Sequence, residues 1–295
     1  MCSICGCPGG RLERLKMKAS KSRSIIPGFG LSFGVTITIL SLVVLLPLCS
    51  LVVFTLKLTP SEFLYTITRP RILSGYRVSI TTAFAAASVN TVMGLIMAWV
   101  LVRYEFPGKK LIDGIIELPF ALPTAVAGIS LTHLTTTNGW VGKIFFDRFG
   151  IRIAYTRLGI TIALIFIGIP FVVRSVQPVL EKIDIQYEEA AMILGADRRT
   201  TFLRVIFPEI LPSLISGFTL AFARSIGEYG SVVFIAGNTP YETEIAPLLI
   251  MSELQEFDYA AATSIALVML AIAFVILSVN AVLQSMVSRR VSGLA

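Results

Sequence analysis

Tyr187-Glu188-Glu189-Ala190-Ala191-Met192-Ile193-Leu194-Gly195-Ala196, running on to Val205-Ile206-Phe207-Pro208, is a helix-forming segment between two apolar stretches at about 159–180 and 211–236. Each stretch is about the ~20 residues needed to cross a bilayer core, so membrane-crossing helices hold this short helix outside the membrane. Glu and Ala favour helix, and Gly195 stops it by accepting a positive φ that other residues resist. Ala190, Ala191, Ile193 and Leu194 supply a small apolar face. Glu188 and Glu189 lie toward the N-terminal end, where the helix dipole favours negative charge. The loop at about 181–210 therefore reads as a docking element offered to a partner.

Composition agrees with a membrane setting. Of 295 residues 55% are apolar and 15% charged, and the mean hydropathy is +0.82. A soluble chain would carry roughly a quarter charged residues. Apolar spans fall at about 31–56, 78–102, 112–134, 159–180, 211–236 and 261–285. Each must be helical, because a backbone facing lipid has no other hydrogen-bond partner. The expected fold is an all-α membrane protein, a polytopic bundle of six transmembrane helices. Residues 1–27 are expected to be a basic tail, disordered or touching lipid headgroups, 28–288 the membrane domain with its cytosolic loop at about 181–210, and 289–295 a C-terminal tail.

The net charge of +7 is a topology signal, not a nucleic-acid footprint. Fifteen Lys and Arg residues fall in the N-terminal tail, the 103–110 loop, the docking loop and the C-terminal tail, against eight in the alternate connections. That bias places both termini and the docking loop on the cytosol-like side. The tail holds Glu13 among six basic residues, which is similar to an organelle-targeting segment. The first span begins too late and is too long for a cleavable secretory signal. Cys2, Cys5 and Cys7 lack a fourth ligand nearby, so no metal site is expected, and Cys49 reads as a small apolar residue.

Three further stretches carry candidate function. In Glu117-Leu118-Pro119-Phe120-Ala121-Leu122-Pro123-Thr124-Ala125-Val126-Ala127-Gly128-Ile129, two prolines four apart each remove a helix hydrogen bond. This predicts a kink or break, while Gly128 and its alanine neighbours permit close backbone approach. In Arg224-Ser225-Ile226-Gly227-Glu228-Tyr229-Gly230, the spacing puts Arg224 and Glu228 on one helix face at membrane depth. Arg224 either attracts an oxyanion along a path, with Glu228 tempering its charge, or the pair only fixes helix packing. Gly227 and Gly230 offer flexibility for a gate. The last loop, with Gln255, Glu256 and Asp258, is acidic and without Lys or Arg. It is either a solvated surface or a contact for a protein outside the membrane.

Glu189-Ala190-Ala191, three residues, Gly195, nine residues, and then Val205-Ile206 with Pro208 beyond resembles the coupling loop of ABC-importer permeases. Leu118-Pro119 through Gly128, the Gly227-Glu228-Tyr229-Gly230 run and Gln255-Glu256-Phe257-Asp258-Tyr259 resemble segments of sulfate/thiosulfate permeases. Tyr229 stands where that family more often has Phe. With Arg103–Gly108 and Pro170–Arg174, the resemblance covers about 27–290. It implies the ABC-importer permease (MetI-like) fold and a role as one half of a heterodimeric pore. It further implies a second permease subunit, two copies of an ATP-binding subunit and a soluble sulfate-binding protein. In that setting Glu188, Glu189, Ala190, Ala191, Gly195, Ala196 and Pro208 couple to the ATPase. Pro119, Pro123, Thr124, Gly128, Arg224, Gly227 and Glu228 line the path or gate, and Gln255, Glu256 and Asp258 meet the binding protein. The membrane is then a bacterial inner membrane or, alternatively, a plastid membrane. Molybdate or another oxyanion is the alternative cargo.

Catalytic chemistry is not expected. Gly108-Lys109-Lys110 and Gly142-Lys143-Ile144 both fail the phosphate-binding loop pattern, and no Ser-His-Asp set, carboxylate dyad or metal cluster stands out. No cofactor is expected in this chain, and ATP would be used by the partner subunit. An ion-coupled secondary transporter would need coupling residues in its spans, and only Glu117, Arg224 and Glu228 offer themselves.

Overall fold

The computed structural model describes residues 29–292, with side chains described over 31–286. The basic tail with Cys2, Cys5 and Cys7 lies outside the described residues. Residues up to Leu48 and those from Cys49 onward form two separate units. The first unit contributes most of α1 (Phe29–Thr55). Among the described residues all regular structure is helical.

A capping box opens α2 (Pro60–Ile67). The Glu62 N–H donates to Thr59 Oγ1, and the Thr59 N–H donates to the Glu62 carboxylate at 2.9 Å. The bundle's long axis is α3 (Pro70–Arg103), whose 34 residues extend roughly 51 Å at helical rise. It buries Ala83, Ala86, Ala87, Asn90, Gly94 and Ala98 along one stripe. Small residues there let α7 (Arg157–Lys182) and α10 (Phe207–Ile226) pack closely. A Cβ on Gly217 of α10 would sit 2.9 Å from the Val172 backbone on α7. The interior comprises Val172, Val173, Val176, Leu180, Ile210 and Ala221, with Ile265 from α13 (Tyr259–Ser292).

Among the described residues five helices are long and apolar enough to cross a membrane, and a bent pair makes a sixth if it counts as one span. That pair is α4 (Lys109–Ala121) and α5 (Thr124–Thr135), related by 110°. Six spans are thus recovered only when the bent pair counts as one. Pro119 lies inside α4 without ending it. The break comes at Leu122, forced into an extended conformation (ψ 135°) by the following Pro123.

Two spans differ from the hydropathy reading. α3 starts at Pro70 rather than near 78, because its polar first turns lie outside the apolar window yet remain helical. The fifth span runs from Arg198 to Ile226 rather than 211–236. It enters through the short helix α9 (Arg198–Thr201) and a π-helical turn, Phe202–Ile206. Pro208 follows that turn and lacks the N–H a regular ladder would use. Beyond Ile226 the chain leaves the helix before α11 (Val232–Ile235).

Loops gather at two ends. At one, the C-terminal turn of α3 meets the loop at about 181–210 through Arg103 and Glu188. At the other, the start of α3 meets the loop before α12 (Ala246–Gln255). The remaining helices are α6 (Trp140–Phe149), at that second end, and the short helix α8 (Ile185–Ile193).

Candidate functional site

Sequence chemistry fixes both ends of α8. Asp184 caps its start, its carboxylate accepting from the Gln186 N–H at 3.1 Å. At the other end Gly195 takes φ +85°. Its N–H donates to the Met192 carbonyl, and the Ala196 N–H donates to the Ala191 carbonyl, forming a Schellman motif. This leaves Ile193 85% and Leu194 87% exposed, beside exposed Ile185 and Tyr187. Together they form an apolar patch that no other described part of the chain covers. Glu189 and Ala190 are exposed on the helix, whereas Ala191 and Ala196 are half-buried at its base.

Glu188 points elsewhere. Its carboxylate lies 2.6 Å from Arg103 Nη2 on α3, and the two side chains are only 19% and 13% exposed. The approach is off the hydrogen-bonding axis, so charge holds this contact. Just beyond, Asp197 caps α9 by accepting from the Thr200 N–H at 3.0 Å. Hydrogen bonds from Thr200, side chain first, hold the Asp197 carboxyl below its ordinary value.

Inside the bundle, the broken span meets the end of α10. A Cβ on Gly128 would lie 2.4 Å from the Ser231 carbonyl oxygen, and one on Gly230 would lie 2.2 Å from Thr124 Oγ1. Arg224 reaches Glu228 at 2.5 Å. Glu228, 2% exposed, also accepts from the Ser231 N–H at 2.9 Å and from Ser231 Oγ at 3.1 Å. The structure therefore brings together Thr124, Gly128, Arg224 and Glu228.

It corrects the sequence picture in two respects. Arg224 and Glu228 do not share a helix, because α10 ends at Ile226 and Glu228 lies in the turn beyond Gly227. Their spacing still permits contact, since the chain remains compact across that turn. Gly227 has φ −91°, open to any residue, and a Cβ there would meet nothing within 4 Å. Gly230, not Gly227, is the glycine that packing requires.

On the far end, Gln255 at the end of α12 and Glu256 just beyond it are exposed. Asp258 accepts from the Ala261 N–H at 2.9 Å and so caps α13. The Glu253 carboxyl is raised, first by burial and then by repulsion from Glu256.

Two further ion-pair sites, besides Arg103 with Glu188, escaped the sequence reading. Arg71 forms a two-pronged contact with Glu244 at 2.8 and 2.6 Å, and Glu244 is 1% exposed. Arg174 on α7 bridges Asp113 at 2.9 Å and Glu117 at 2.7 Å on α4. The second had a signal: Asp113 and Glu117 are four apart, so their carboxylates share a helix face that calls for a cation.

The geometry is that of a membrane bundle with an external knob, and sequence comparison gives its family. The model described as binding-protein-dependent transport system inner membrane component matches residues 90–293. This chain belongs to that family. It is 48% identical over 277 residues to the sulfate transport system permease protein CysT of Salmonella typhimurium, covering 94% of this chain and 100% of the relative. A CysT of Synechocystis is 48% identical over 250 residues (85% and 87% coverage). A probable sulfate transport system permease protein of Nephroselmis olivacea is 44% identical over 246 residues (83% and 86%).

Among solved structures, the fold matches a chain of a bacterial ABC transporter importing alginate, with TM-score 0.72, 17% identity and coverage of 88% and 96%. It also matches a chain of the MetNI methionine ABC transporter, with TM-score 0.57, 15% identity and coverage of 73% and 95%. This family member is thus an integral membrane protein with the permease fold of ABC importers.

Proposed function

We propose that this chain is a permease subunit of an ATP-driven importer of sulfate or thiosulfate. The observation that supports the energy-coupling part is α8, a rigid helix closed by a Schellman turn with Ile193 and Leu194 open to water. A surface of this form suits the groove of an ATP-hydrolysing subunit. The sulfate assignment rests on the relatives named above and on the segments shared with sulfate permeases.

In this reading the chain is a non-catalytic pore subunit, binds no cofactor, and leaves ATP to its partner. Two ATP-binding subunits engage α8 and its counterpart on a second permease subunit. A soluble sulfate-binding protein delivers the anion at the opposite end, near Gln255 and Glu256. Transport proceeds by alternating access, with the motor's closure rocking the bundle about the contact of Thr124 and Gly128 with Gly230 and Ser231. Arg224 faces the anion's route, while Glu228 neutralises it enough to prevent capture. The docking end faces the cytosol of a bacterium, or the stroma where the membrane is a plastid envelope.

Sulfur-35 sulfate uptake in cells lacking and regaining this gene tests the cargo, and absence of restored uptake would exclude it. Gly195→Val and Glu189→Lys test docking. Each variant should insert normally yet lose ATPase-subunit binding or transport, because one strains a positive-φ position and the other reverses charge on the docking helix. Full transport in both would remove the docking assignment.

A further inference from the structure

We infer that Arg103, at the last turn of α3, is the residue through which movement of the docking helix enters the membrane bundle. The inference rests on the docking role proposed for α8 and divides labour between its adjacent acids. Glu189 is exposed and free to meet a partner, whereas Glu188 is turned inward onto Arg103. Glu188 is therefore a positioning residue and not part of the partner contact.

Two separate contacts tie the docking loop to the same turn of α3. Upstream of Gly195, Glu188 meets Arg103. Downstream, Phe202 in the π-helical turn packs edge-on against Trp99, with ring centroids 5.4 Å apart. The Arg103 guanidinium lies 5.7 Å from the Trp99 ring, so both contacts converge on one cation–aromatic unit. Because Phe202 leads directly into α10, displacement of the loop acts on α3 and α10 together.

The character of the Arg103–Glu188 contact suits transmission. It is short and largely shielded, yet it is not aligned as a hydrogen bond, and Arg103 Nε has no hydrogen-bond partner. Charge attraction without directional bonding keeps force on α3 while α8 changes its angle. α3 can carry that force the length of the bundle. At its far end Arg71 grips Glu244, and Ser79 Oγ accepts from the Ala246 N–H at 2.8 Å. The outer loop is thereby attached to the same helix as the docking loop.

The test uses the assembled transporter in proteoliposomes, with ATP hydrolysis and sulfate uptake measured together. Arg103→Gln and Glu188→Gln should retain the ATPase subunit through purification and continue to hydrolyse ATP, while sulfate moved per ATP falls about ten-fold. The double variant should lose no more than either single, because the same contact is removed once. Arg103→Lys should restore much of the ratio, keeping the charge without the planar group.

Unchanged sulfate per ATP in Arg103→Gln would overturn the inference. So would additive losses in the double variant, or loss of the ATPase subunit from Glu188→Gln, which would make Glu188 a direct docking residue. Ile193→Asp separates the two levels of argument. If it keeps the ATPase subunit bound, the docking reading fails whatever Arg103 does. If it releases the subunit while Arg103→Gln transports normally, only the transmission role fails.

Discussion

Gly128→Ala tests whether the broken span and the turn after α10 form a close-packed joint. The added Cβ would lie 2.4 Å from the Ser231 carbonyl oxygen, 2.7 Å from its Cα and 2.9 Å from its carbonyl carbon. All three are backbone atoms, so no side-chain rotation relieves the clash. Reaching an ordinary carbon contact of ~3.5 Å requires the two segments to separate by about 1 Å. Overpacking of that kind costs roughly 1–3 kcal/mol, and Ser231 also holds Glu228, so the buried carboxylate would be displaced too. Denaturant unfolding of the purified subunit should give a loss of about 2 kcal/mol, with sulfate uptake reduced more than ten-fold. Gly227→Ala is the control: its Cβ would meet nothing, and its stability should change by less than ~0.5 kcal/mol. Equal stability of Gly128→Ala and the unsubstituted protein would refute the close joint, as would equal damage from Gly227→Ala.

Arg224→Met with Glu228→Leu removes both charges while keeping bulk, and should yield an assembled transporter that hydrolyses ATP and fails to import sulfate. Normal uptake by a well-expressed double variant would confine the pair to packing. Arg174→Ala leaves the Asp113 and Glu117 carboxylates facing each other without their cation. It should destabilise the seat of α4 by ~1–2 kcal/mol, read by denaturant unfolding, and Asp113→Asn with Glu117→Gln in that background should recover part of it. Asp197 has a carboxyl depressed in the folded protein, so its cap contributes fully above the ordinary unfolded carboxylate value and is lost as pH falls through the lower folded value. Protection of the Thr200 amide from exchange should therefore be flat across neutral pH and fall only in acid. Asp197→Asn should abolish that acid step while keeping a cap.

How much was legible in the sequence follows from the range of each interaction. Local rules placed the positive-φ turn at Gly195 and the break at Pro123, because both are set by the residue and its immediate neighbours. Glu189 and Glu188 have the same local pattern, and nothing along the chain distinguishes the acid facing outward from the one facing Arg103, 85 residues away in sequence. Arg71 and Glu244, 173 residues apart, were hidden for the same reason.

The sequence by itself determined that this protein crosses a membrane several times as helices, because lipid offers the backbone no other partner and the apolar runs have the length to span it. It also determined the family segments and the short helix that stops at Gly195. Only the tertiary structure decided that Gly128 and Gly230 form one joint, that Gly227 is open, that α10 ends before Glu228, and that α3 holds a loop at each end. Those facts depend on which surfaces approach within a few ångströms after packing. Spacing along a chain constrains such distances within a helix turn and no further.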